Sequence, residues 1–169
     1  MFPLPASGSP NTRGPGRHGR AVRIGRFHTR VRQAPELFGE FPTSCLAEEI
    51  DTPGAGRYRA MLLVCGNPVV SSPDAHRMAR ALGGLDALIA VDPYLNDSTR
   101  HAHVVLPPPS ALQRSHYDVH FTQWAVRNVA NYSPAVLPLA PGQPDEWQIM
   151  CRLASAIDGS HAPAQAVDQ

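Results

Sequence analysis

Residues 60–92 read AMLLVCGNPVVSSPDAHRMARALGGLDALIAVD, and this stretch decides the fold. AMLLVCG is a short continuous apolar run of the length and composition expected of a strand buried on both faces. In SSPDAHRMARALGG the local signals are those of a helix. Ser72 serves as cap, Pro73 stands at the first helical position, Asp74 favours the positive end, and Gly83-Gly84 stop the element. LDALIAVD is a second apolar run, so strand, helix and strand follow one another closely enough to form a right-handed βαβ unit. Parallel sheets of this kind bind ligands just beyond the carboxyl ends of their strands. Asn67 and Asp92, which close the two runs, are therefore expected side by side at a ligand-binding edge.

Outward from this unit, PYLNDSTRHA is polar and turn-prone, and it leads to HVVLPPPS, a short apolar strand that three prolines must end because proline cannot donate to a sheet ladder. HYDVHFTQWAVRNVANYSPAV alternates irregularly between aromatic and polar residues and reads as a loop, an edge strand, or both. PGQPDEWQIMCRLASAI is a final helix, with Asp145 and Glu146 at its positive end and Trp147, Met150, Cys151, Leu153, Ala154 and Ile157 on its apolar side. Upstream, PTSCLAEEI starts a helix in which Leu46 and Ile50 lie one turn apart and Glu48 and Glu49 point outward.

The chain has 169 residues, enough for one domain with a real core and too few for two ordinary ones. The expected fold class is α/β: an open, mostly parallel sheet with flanking helices, plus a flexible Arg/Pro/Gly-rich N-terminal arm. By this reading residues 1–35 are the basic arm, 36–158 the α/β domain and 159–169 a frayed tail. All 15 basic residues are arginine, which we read as the mark of a GC-rich genome. Positions 1–34 carry seven of these and no acid, so the remaining 8 Arg against 14 acids leave the rest at −6. A basic arm suits nucleic acid, but aromatics are sparse and no nucleic-acid motif follows, so a surface arm that packs on a larger partner or on missing parts of its own protein is the better reading.

Cys45, Cys65 and Cys151 are far apart and in no CxxC pattern, which fits buried thiols of a reducing compartment. No stretch approaches the roughly 20 apolar residues of a membrane span, and the N-terminus lacks the apolar core of a secretory signal. A soluble cytoplasmic protein is expected.

Asn67 can donate and accept at once, which suits a ribose or a base, or it can simply satisfy its own turn. Asp92 can accept from ribose hydroxyls or from N1 and N2 of guanine, or it can cap the following turn. GNPVVSSP lacks the G-x-G-x-x-G of an ordinary NAD site. His101 and His103 alternate along a strand and lack the further ligands a metal needs. His116 and His120 have the spacing of HxxxH on a helix without the glutamate of a zinc protease. Ser110, Ser115 and Ser133 lack the G-x-S-x-G elbow. No catalytic and no metal-binding residue is assigned.

Taken in order, CGNPVVSSPD, LDALIAVDPYLNDSTRHAHVVLPPPS and the following HYD…AVRNVANYSP resemble the third, α/β domain of the molybdopterin oxidoreductases, the dimethyl sulfoxide reductase and formate dehydrogenase type, over about residues 36–157. Relatives carry GNP at the first strand end, a strand ending in Asp, a Thr-containing turn and an A-D-V-x-L-P strand. The resemblance implies that Gly66, Asn67, Val91 and Asp92 hold the guanosine end of a molybdopterin guanine dinucleotide carrying molybdenum or tungsten. It implies electron or oxygen-atom transfer as the family activity, with the pterin cofactor and the remaining domains of a parent enzyme as partners. This chain departs from the family in having no N-terminal cysteine cluster, His103 in place of Asp, and LQRSHYD in place of E-K-x-G. It is therefore expected to be a piece of such an enzyme, a truncated or split gene inactive alone, with Met1 falling inside the parent sequence. The competing expectation is a noncatalytic nucleotide-binding or interaction module. Neither nucleic acid nor a membrane is an expected partner.

Overall fold

A computed structural model describes residues 25–37, 40–118 and 131–159. The apolar runs form strands β1 (Ala60–Val64) and β2 (Ala87–Val91), and HVVL supplies β3 (Val104–Leu106). These pair in parallel in the order β1-β2-β3, with Leu62 opposite Ile89 and Ile89 opposite Val104. Helix α1 (Leu46–Asp51) precedes β1, and the short α2 (Pro68–Ser71) and α3 (Ala75–Gly83) connect β1 to β2. Alternation along the strands sends Leu63, Leu88 and Ala90 into one core with Ile50, Val69, Met78 and Leu82 from the helices. An open, parallel α/β fold is thus what the chain adopts.

Several local expectations are corrected by the structure. Among the described residues β1 is an edge strand covered on one face only: Leu63 is buried, whereas Leu62 and Val64 are 37% and 44% exposed. A continuous apolar run cannot by itself distinguish one covered face from two. The connecting helix does not start at Ser72. Chain order places α2 first, on Pro68, and α3 then begins at Ala75 with Asp74 as its cap, the Asp74 carboxylate accepting from Arg77 N at 3.0 Å. Pro73 therefore lies outside both helices.

Glu48 and Glu49 are buried, against the expectation that they face outward. The end of the basic stretch folds over α1 and neutralises them. Arg32 pairs with Glu48 at 2.9 Å, Arg30 faces Glu49 at 3.6 Å, and Glu49 also accepts from Val31 N at 2.8 Å. Glu36, 1% exposed, receives both Nε and Nη2 of Arg26 at 3.0 and 2.8 Å. Residues 1–24 of the arm lie outside the described residues.

Strands β4 (His116–Asp118) and β5 (Asn131–Ser133) form an antiparallel pair, which puts His116 on a strand rather than a helix; His120 and the remainder of 119–130 lie outside the described residues. Helix α4 (Glu146–Asp158) starts as expected, with Asp145 and Gln148 forming a reciprocal capping box. Its buried residue is Ile149, while Trp147 and Ile157, assigned to the apolar side, are 49% and 75% exposed. Arg114 pairs with Glu146 at the start of this helix. Cys45 is buried, but Cys65 and Cys151 are exposed, so only one thiol matches the expectation.

Candidate functional site

Val64 and Val91 are the last register pair of β1 and β2, and Cys65 N extends the ladder by donating to Val91 O at 2.9 Å. Cys65 then takes a φ of 46°, a left-handed conformation unusual for a side chain with a Cβ, and the chain leaves the sheet at once. Gly66 and Asn67 therefore lie just beyond β1, and Asp92 just beyond β2, as the sequence pattern requires. Parallel pairing in this register sets the four expected residues, Gly66, Asn67, Val91 and Asp92, at one carboxyl-terminal edge.

Asn67 occupies the cap position of α2, but its side chain makes no capping bond. Its Oδ1 accepts from Ser98 Oγ at 2.7 Å, and Ser98 Oγ accepts in turn from Val69 N at 2.9 Å. Ser98 is 0% exposed, so its hydroxyl hydrogen must find an acceptor inside the protein. Asn67 Oδ1 is that acceptor, which fixes the amide with oxygen inward and Nδ2 free to donate. Among the described residues no bond from Asn67 Nδ2 is formed, and Asn67 is only half-buried.

Asp92 is 5% exposed and holds the loop that follows it. Its Oδ1 accepts from Tyr94 N at 2.8 Å and its Oδ2 from Asn96 Nδ2 at 3.3 Å. Asn96 Oδ1 accepts from Ser98 N and Thr99 N at 2.9 and 3.0 Å, and Thr99 Oγ1 donates to Tyr94 O at 3.0 Å. The loop is thus a closed lattice of side-chain-to-backbone bonds that aims Ser98 at Asn67. The turn-capping role foreseen for Asp92 is present, and two of its four lone-pair directions are left for other donors. The loop exposes Tyr94 and Leu95 at 74% and 77%.

The other singled-out residues are elsewhere. His101 ends a 3-10 turn of Thr99–His101 and packs near Gly83, where an added Cβ would meet its Nδ1 at 3.5 Å. His103 precedes β3, its Nδ1 accepting from Leu88 N at 3.0 Å and its own N donating to Leu88 O at 2.8 Å. The two histidines do not share a strand face, and His103 is spent on closing the β2–β3 ladder. Among the described residues no group of three or more His, Cys, Asp or Glu is placed to hold a metal. A cavity of about 250 Å³ lies at the other end of β1, lined by Leu46, Ile50, Tyr58, Ala60 and Met61.

The donor set at the edge fits the nucleoside end of a dinucleotide: an outward amide N–H and a carboxylate at neighbouring strand ends complement an acceptor and donors on one ligand face. Nothing described here fits the metal end. Ser98, Asn96 and Thr99 are the site residues that sequence reasoning missed. Their signal was the run Asn96-Asp97-Ser98-Thr99 directly after a strand-ending Asp, since these residue types bond to nearby backbone and build turns.

Comparisons with known proteins show the family. The family model described as molybdopterin oxidoreductase matches residues 11–156. The chain is similar to the F420-dependent formate dehydrogenase subunit alpha of Methanocaldococcus jannaschii, 31% identical over 163 residues, covering 90% of this chain and 23% of that protein. It is 32% identical over 102 residues to the assimilatory nitrate reductase catalytic subunit of Bacillus subtilis, covering 60% of this chain and 14% of that protein. It is also 32% identical over 117 residues to the NADPH-Fe(3+) oxidoreductase subunit alpha of Geobacter sulfurreducens, covering 68% of this chain and 13% of that protein. The chain spans between about an eighth and a quarter of the length of these relatives. The family-model match over most of its length establishes that the chain, with its open parallel α/β sheet, belongs to the molybdopterin oxidoreductase family.

Proposed function

We propose that this chain is the part of a molybdenum- or tungsten-dependent oxidoreductase that holds the guanosine end of a molybdopterin guanine dinucleotide. The observation that carries this reading is the juxtaposition of Asn67 and Asp92 at the carboxyl ends of paired parallel strands, with the loop after Asp92 bonded back to Asn67 through Ser98. In this reading Asn67 Nδ2 donates to an acceptor of the base, and the remaining lone pairs of Asp92 receive the N1 and N2 hydrogens of guanine. Gly66 and Val91 form the backbone floor between them. When bound, the cofactor supplies the redox chemistry of the whole enzyme, either electron or oxygen-atom transfer. This chain's own work is to bind and orient the nucleotide.

The chain by itself therefore holds a nucleotide weakly and turns nothing over, and purified alone with added cofactor it is expected to show no formate, nitrate or sulfoxide activity. Nuclear magnetic resonance tests the site directly. Titration of the 15N-labelled chain with guanosine diphosphate is expected to shift the backbone amides of the non-proline residues within 65–70 and 91–99. Shifts confined to the cavity beneath Tyr58 and Met61, or no shifts at all, would overturn the assignment of the edge.

A further inference from the structure

We infer that Ser98 is a positioning residue that makes Asn67 a one-way donor, so that this edge selects purines with an oxygen rather than an amine at position 6. The inference rests on the reading of the edge as a guanosine site. An unrestrained asparagine can present either its oxygen or its nitrogen to a ligand, because a flip of the terminal torsion exchanges them at little cost. Here the exchange is blocked from behind. Ser98 is 0% exposed, and its oxygen already accepts from Val69 N at 2.9 Å. Its hydrogen is directed at Asn67 Oδ1 at 2.7 Å. Flipping the Asn67 amide would turn an N–H₂ group toward that hydroxyl and leave the buried hydrogen without an acceptor, which is costly in a dry site.

Ser98 is itself held from both sides. Its N donates to Asn96 Oδ1 at 2.9 Å, and Asn96 is tied to Asp92. The polarity of Asn67 is thus set by the loop that follows β2 rather than by its own turn. The outward group is a donor only. It complements O6 of guanine or hypoxanthine and meets the N6 amine of adenine donor against donor. Asp92, an acceptor one strand away, presents the opposite polarity, so the two residues together match the alternating edge of a six-oxo purine.

The test compares guanosine, inosine and adenosine diphosphates on the full 169-residue chain by calorimetry or amide shifts. The unmodified chain should bind the guanosine and inosine forms at least about tenfold more tightly than the adenosine form, the weight of one hydrogen bond made or opposed. Ser98→Ala should reduce the six-oxo over six-amino ratio to the share that Asp92 alone sustains, and Ser98→Thr, which keeps the hydroxyl, should restore it. Asn67→Asp, which retains the acceptor for Ser98 and turns an acceptor outward, should shift the ratio toward adenosine. In an Asn67→Ala background, Ser98→Ala should leave the ratio where it is.

A purely structural Ser98 would lower all three affinities together and leave their ratio unchanged. That result in a folded Ser98→Ala protein overturns the inference while leaving the guanosine site standing. Should Ser98→Ala fail to fold, Asn67→Asp decides, and an undiminished preference for the guanosine form would overturn the inference. Absence of binding by any of the three nucleotides overturns the guanosine reading and the inference with it.

Discussion

Two buried polar clusters in this molecule look alike in composition and differ in what they leave unspent. The clamp between residues 26–36 and α1 buries Glu36, Glu48 and Glu49 against Arg26, Arg32 and Arg30. Its charges are turned on one another: Arg30 Nε and Glu49 Oε2, buried without a hydrogen bond, face each other as an ion pair at 3.6 Å, and Glu48, whose Oε1 is buried without a hydrogen bond, pairs with Arg32 through Oε2 at 2.9 Å. The carboxyl-terminal edge is equally well bonded within its loop, yet Asn67 keeps one donor that no described residue takes. Burying carboxylates is tolerable only when each is paired, so the clamp reads as architecture. An oriented donor left facing outward, at the place where parallel sheets take ligands, reads as a site.

Breaking the clamp should have the largest effect on stability and none on recognition. Glu49→Ala removes the acceptor of Val31 N and leaves the partly buried Arg30 without its counter-charge, so a loss of about 2–4 kcal/mol is expected in urea unfolding. Nucleotide selectivity of the remaining folded protein should be unchanged. A shift in selectivity would join the two regions that the structure keeps apart. At the edge, Ser98→Ala should cost less, about 1–2 kcal/mol, because it leaves Val69 N and Asn67 Oδ1 without a partner. Unlike Glu49→Ala, it should alter selectivity.

Smaller still is the capping box of α4, where Asp145→Ala should cost about 1 kcal/mol by urea unfolding. The smallest effect is expected at Asp51. Two bonds from Arg77, at 2.8 and 2.9 Å, hold its carboxyl below the ordinary value of 3.8. A carboxyl depressed in the folded state stabilises above its unfolded value and loses that contribution as pH falls through the folded one. The pair is solvent-screened, so Asp51→Asn should leave neutral-pH stability within a few tenths of a kcal/mol. It should flatten only the acid limb, below about pH 4, in a pH series of urea midpoints.

The contrast also shows what the amino-acid sequence made legible. The βαβ unit and the placement of Asn67 and Asp92 followed from apolar runs and their terminators, because strand ends are set by local chemistry. Burial on one face or two did not, since it depends on what packs above the sheet; Leu62 and Val64 proved exposed. Glu48 and Glu49 have the helical pattern of an outward face, and only arginines some 16–19 residues upstream draw them inside. The placing of His101 and His103 along one strand failed for a related reason: sequence spacing fixes shared faces only within one element, and these two are not in one. The run around Ser98 announces a turn, but its bond to Asn67 was illegible because the two lie 31 residues apart and strand pairing brings them near.

Calorimetric titration of the purified chain and its Asp92→Ala variant with guanosine and adenosine diphosphates tests the central claim most directly. The guanosine form is expected to bind more tightly, with Asp92→Ala weakening it by about 1.5–3 kcal/mol, the weight of hydrogen bonds to a charged group, and narrowing the gap to adenosine. Equal affinity for both nucleotides, unmoved by Asp92→Ala, would leave Asp92 with only the turn it caps and would contradict the assignment of a guanosine site at this edge.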